Sequence, residues 1–68
     1  MQNGSEIKMN TRALAANMKI SIEELAAKAD IDAGHLKSVS SGRATMTATD
    51  LIKLSKATGV SPFNIDTD

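Results

Sequence analysis

Apolar residues recur at helical spacing along most of the chain, and no long run alternates as a strand would. Leu14 and Met18 stand four apart, Leu25, Ala26 and Ala29 form a stripe, and Leu36 and Val39 stand three apart. Leu51, Leu54 and Ala57 repeat at three. Spacings of three and four place side chains on one face of an α-helix. The residues between the stripes are helix starts and stops. Asn10 or Thr11 caps the first segment. Ser21-Ile22-Glu23-Glu24 is a capping box, with Ile20 and Leu25 placed as a hydrophobic staple. Asp32 is a cap whose charge suits the positive end of the helix that follows. Thr47-Ala48-Thr49-Asp50 repeats the box with aspartate in the glutamate place, Gly42 and Gly59 are stops, and Ser61-Pro62 is a cap followed by a proline suited to a first helical position. The pattern predicts an all-α fold of five short helices, at about 10–18, 21–29, 33–40, 48–58 and 62–65. Val60, Phe63 and Ile65 are expected to close the bottom of the core, and Met9, Met18 and Met46 to pack in it or at its rim.

The chain has 68 residues, enough for one domain with a small core. The polar start is expected to be a flexible tail over residues 1–8, with the domain at 9–66. There is no cysteine and one histidine, so neither a disulfide nor a zinc site staples the fold, and no metal or other cofactor is expected. The lack of cysteine fits a reducing cytoplasm. No apolar run approaches the roughly 20 residues a membrane span needs, and no signal peptide is visible. Catalysis is not expected either: Ser38, Ser40 and Ser41 lie near His35, but no acid is placed in the sequence to orient that histidine.

Eight basic and eight acidic side chains cancel, yet their distribution is uneven. Over residues 21–34, Glu23, Glu24, Asp30 and Asp32 stand against Lys28 alone, a net of −3. Over residues 35–56, Lys37, Arg43, Lys53 and Lys56 stand against Asp50, a net of +3. One face can thus be basic on a neutral molecule.

The stretch from Leu25 to Arg43 reads as two short helices joined by a tight turn at Asp30-Ile31. Small residues at Ala26 and Ala29 allow close packing. Leu36 and Val39 turn the second helix inward, leaving Ala33, Gly34, Lys37, Ser38 and Ser41 on its outer face. A helix held in this way fits the DNA major groove, about 12 Å wide.

These residues resemble the helix-turn-helix domains of Cro/XRE-type phage repressors. The resemblance covers about residues 9–65. It is carried by Ser21-Ile22-Glu23-Glu24-Leu25-Ala26, Ala29-Asp30-Ile31, Leu36, Val39, Gly42, Leu51-Ile52-Lys53-Leu54 and Lys56-Ala57-Thr58-Gly59-Val60-Ser61-Pro62. Three positions depart from the family pattern: Ile22 stands where glutamine often grips a phosphate, Asp30 where the turn often has glycine, and Gly34 lies inside the reader helix. Aspartate tolerates a left-handed backbone better than most residues, which suits Asp30 to the turn.

The resemblance implies a lambda-repressor-like fold and a sequence-specific regulator that reads operator DNA with helix 33–40. Where two copies pair as a homodimer, the fourth and fifth helices are expected to join them. The resemblance also implies DNA contacts from Ala33, Gly34, His35, Lys37, Ser38, Ser41 and Arg43, with Lys37 and Arg43 on phosphates and the serines on bases or phosphates. Neither a membrane nor a small-molecule substrate is expected as partner. The alternative is the same fold used as a protein-interaction module that sequesters another regulator.

Overall fold

A computed structural model describes residues 8–67. Among the described residues, four α-helices follow one another, α1 (Thr11–Met18), α2 (Ile22–Ala29), α3 (Ala33–Ser40) and α4 (Ala48–Thr58), and a 3-10 turn, Pro62–Asn64, follows α4. The fifth helix expected at 62–65 is therefore this turn. It stops after three residues because the chain then runs extended into a parallel bridge between Met9 and Ile65. The Met9 amide donates to the Asn64 carbonyl at 2.8 Å, and the Asp66 amide donates to the Met9 carbonyl at 2.9 Å. The flexible tail expected over 1–8 lies outside the described residues except for Lys8. Among the described residues, no helix is long and apolar enough to cross a membrane.

Each helix starts where a side chain takes up a free amide. The Asn10 side-chain oxygen accepts from the Ala13 amide, and both boxes are complete, Ser21 with Glu24 and Thr47 with Asp50. Helices α1 and α2 end alike. Lys19 and Asp30 adopt left-handed conformations at φ 59° and 57°, and the isoleucine that follows each donates back to the last turn: Ile20 to Ala15 and Ile31 to Ala26. This closing pattern satisfies carbonyls that would otherwise be orphaned and points an apolar residue back at the helix. Ile31 is buried as a result.

The core takes one leucine from each α-helix. Leu14, Leu25, Leu36 and Leu54 are all fully buried, and Ala15, Ala26, Ala29, Val39, Met46 and Ile65 fill the space among them. Helix α2 packs on α3 and α4, α1 packs on α2 and α3, and the 3-10 turn packs on α4. The stripe of α2 and the two inward residues of α3 lie as the sequence predicts. The floor of the core does not. Ile65 is buried and Val60 packs against the cluster, but Phe63 is 86% exposed. Phe63 is the middle residue of the 3-10 turn and faces away from the floor of the core, whereas Ile65 lies past the turn in extended backbone. Ile65, fixed by the bridge to Met9, takes that place.

Leu36→Ala should lower stability by about 2–5 kcal/mol, because it opens a cavity at the α2–α3 contact. In a chain this small, thermal melting by circular dichroism should show a large fall or no folded state. Lys19→Gly should instead raise stability, by roughly 0.5–1 kcal/mol, since it relieves the left-handed strain at the end of α1. An unchanged or lower melting temperature would mean that this strain is already relieved in the chain.

Candidate nucleic-acid interface

Helix α3 is held at both ends. At its start the Asp32 carboxylate accepts from the His35 amide at 3.0 Å. Gly34 is exposed, and a Cβ there would lie 3.2 Å from the same Asp32 oxygen. A side chain at position 34 would press on the cap by a few tenths of an ångström, so the glycine leaves the Asp32 carboxylate undisturbed. At its end the Ser38 carbonyl gathers three donors, the amides of Arg43 and Ala44 and the Ser41 hydroxyl. Gly42, at φ 83°, turns the chain so that these donors can converge. The loop that carries Arg43 is thereby fastened to the last turn of α3, and Met46 anchors its far end in the core.

Around α3, three cross-links join elements distant in sequence. His35 Nε2 lies 2.7 Å from Asp50 Oδ2, the same oxygen that accepts from the Thr47 amide in the box of α4. An ionised carboxylate only accepts, so the ring donates through Nε2–H. The Lys37 ammonium meets Glu23 of α2 at 2.7 Å. The Lys53 ammonium donates to the Asp30 carbonyl at 2.9 Å, at the negative end of α2. The absence of an acid beside His35, expected from the sequence, is corrected by Asp50. That acid lies fifteen residues away and reaches the ring only because α3 and α4 fold together.

The sequence-derived site residues fall as follows. Gly34, Lys37, Ser41 and Arg43 are exposed, and Ala33, His35 and Ser38 are half-buried. The ring of His35 is turned toward α4 through Nε2, while its Nδ1 makes no hydrogen bond among the described residues. Lys37 faces solvent, as expected, but is paired. The Ser41 hydroxyl is directed to its own backbone. The Arg43 side chain makes no hydrogen bond or ion pair among the described residues, so its guanidinium is open to a ligand. Sequence reading misses Glu23, Asp50 and Lys53. The excess of acid over residues 21–34 beside an excess of base over 35–56 is the only local hint that the two stretches attract each other. The basic excess is partly consumed inside the molecule.

Two carboxyl groups are shifted. For Asp50, burial acts to raise its value, but the Thr47 amide, the His35 ring and the Thr47 hydroxyl outweigh it and hold the group below the ordinary carboxylate range. The Lys37 ammonium, as hydrogen-bond donor and as charge, holds the Glu23 carboxyl low as well.

A sequence model of the helix-turn-helix family matches residues 12–64, more than half of the chain. No curated protein and no solved structure matches it.

The Asp50 shift sets an acid limb. A carboxyl whose folded value is depressed contributes stability that is complete above its unfolded value, near 3.8 here, and is lost as pH falls through the lower folded value. Asp50→Asn should therefore flatten the fall in melting temperature below about pH 4, and should cost roughly 1–2 kcal/mol at pH 7 by weakening the box and the His35 link. An acid limb as steep as in the unmodified chain would show that Asp50 does not carry it.

Proposed function

Since the chain belongs to the helix-turn-helix family of the Cro/XRE type, a family of DNA-binding regulators, we propose that it is a repressor that reads operator DNA in the major groove with α3. Occupancy of the operator then blocks polymerase. The observation that carries this reading is the pairing of α2 and α3 through the Asp30 turn, inside the matched residues, with α3 capped at its start and presenting Gly34, Lys37 and Ser41 to solvent. Ala33, Gly34 and His35 form the first turn of α3, which approaches base edges. Ser38 and Ser41 lie further along, and Lys37 and Arg43 hold phosphates on either side. Small regulators of this kind meet pseudo-palindromic sites as pairs. Phe63 and Ile52, both exposed, lie on the 3-10 turn and α4, the elements expected to join two copies. A Cro-like phage or prophage repressor acting in the cytoplasm fits these features.

A second reading is a protein-interaction module that sequesters another regulator. Net charge zero, the pairing of Lys37 and the exposed Phe63 favour it. Salt separates the two readings. A DNA binder loses affinity linearly in the logarithm of salt as counterions return to the duplex. In fluorescence anisotropy against DNA from the upstream region of its own gene, the unmodified chain should show such a slope. Lys37→Ala and Arg43→Ala should each weaken binding and reduce the slope by about one unit. Ser38→Ala should change preference among site variants with the fold intact. Weak, salt-insensitive binding to every duplex would overturn the DNA reading in favour of the interaction module.

A further inference from the structure

Lys37 is the only lysine or arginine that α3 carries, and in the free protein its ammonium is held by Glu23. Glu23 stands in the first turn of α2 beside Glu24. The two acids have different duties. Glu24 completes the capping box with Ser21, whereas Glu23 makes its only side-chain hydrogen bond among the described residues to Lys37. We propose that Glu23 is an intramolecular stand-in for a DNA phosphate: it occupies Lys37 in the free protein, and a phosphate must displace it before α3 can use its cation. The inference rests on the reading that α3 docks on DNA with Lys37 at the backbone.

Three features of the structure support it. The pair is open to solvent, with the side chains 55% and 64% exposed for Lys37 and Glu23, so a phosphate can reach the ammonium without backbone movement. On the buried side Leu25, Ala26, Ala29, Leu36 and Val39 already join α2 to α3, and the pair adds only an exposed contact to that interface. Exposed ion pairs are weak, which makes this one reversible, while binding a phosphate also releases condensed counterions from the duplex. The surroundings sharpen the effect. Lys53 is committed to the Asp30 carbonyl and His35 to Asp50, so Lys37 is a conditional cation, whereas the Arg43 guanidinium has no partner among the described residues. Loose encounters that do not bring a phosphate up to α3 gain nothing from Lys37. Glu23 thus lowers attachment to arbitrary duplex.

The test is a double-mutant cycle, read by anisotropy of a fluorescein-labelled random-sequence duplex at low salt. The proteins are the unmodified chain, Glu23→Gln, Lys37→Ala and the double variant, each checked for its fold by far-ultraviolet circular dichroism. Glu23→Gln should bind about two- to fivefold tighter than the unmodified chain, the range that an exposed pair allows. In the Lys37→Ala background the same substitution should give little or no gain. Glu23→Asp keeps the charge and shortens the reach, so it should also tighten binding. A gain of equal size with and without Lys37, or no effect of Glu23→Asp beside a clear gain from Glu23→Gln, would mean simple repulsion of the duplex and overturn the proposal. No gain from Glu23→Gln would overturn it as well. If Lys37→Ala leaves binding as tight as before, both on its own and when added to Glu23→Gln, then Lys37 is not at the DNA, and the docking of α3 itself fails.

Discussion

The structure depends on four leucines, one from each α-helix, all withdrawn from water together. A chain of this length has little other apolar surface to bury and no disulfide to replace it. Removing any one of the four takes away the only large, fully buried side chain of its helix. The small residues are fixed by the same constraint. Ala26 and Ala29 let α2 approach α3 closely enough for Leu25 and Leu36 to share one interior, and that approach sets the angle at which α3 is presented. Helix α3 is held from behind by these contacts, and its outer face carries polar side chains that the core does not use.

The polar links around α3 build on that frame. Asp32 and the Ser38 carbonyl hold its two ends, and the His35–Asp50 contact ties its first turn to the start of α4. Asp50 serves two partners with one oxygen, closing the box of its own helix and receiving the His35 ring. Buried carboxylates are costly unless they are well satisfied, and these donors are enough to keep this one ionised. The position of α3 is thereby coupled to the capping of α4. Its charge is arranged differently. Opposite charges from neighbouring stretches have found each other, and Arg43 in the loop after α3 has no side-chain partner among the described residues.

What can be read from the sequence is mostly local. Both capping boxes, the Asp32 cap and the left-handed Asp30 turn depend on residues within a few positions of one another, and each stands as the sequence implies. The apolar stripes of α2 and α3 are equally legible, because helical spacing alone selects the inward face. The contacts that reshape the site join residues 14, 15 and 23 positions apart, Lys37 to Glu23, His35 to Asp50 and Lys53 to Asp30. No periodicity encodes them, since they exist only once the helices are packed. Lys19 reads as a mere link because a lysine gives no sign of a left-handed backbone; only the apolar Ile20 after it hints at the closing pattern. The size of Phe63 argues for the core, but it faces away from the floor in the middle of the 3-10 turn, and Ile65, pinned to Met9, is buried there instead.

The functional reading turns on one claim, that the surface built on α3 and the loop at Arg43 is where this protein meets duplex DNA. The most direct measurement is a two-dimensional amide spectrum of the isotope-labelled chain, recorded during addition of a duplex carrying its upstream sequence. Shifts should concentrate over residues 33–43, with the buried amides of α1 and the 3-10 turn largely still. Shifts centred instead on the exposed face of Ile52 and Phe63, with α3 unmoved, would contradict the claim.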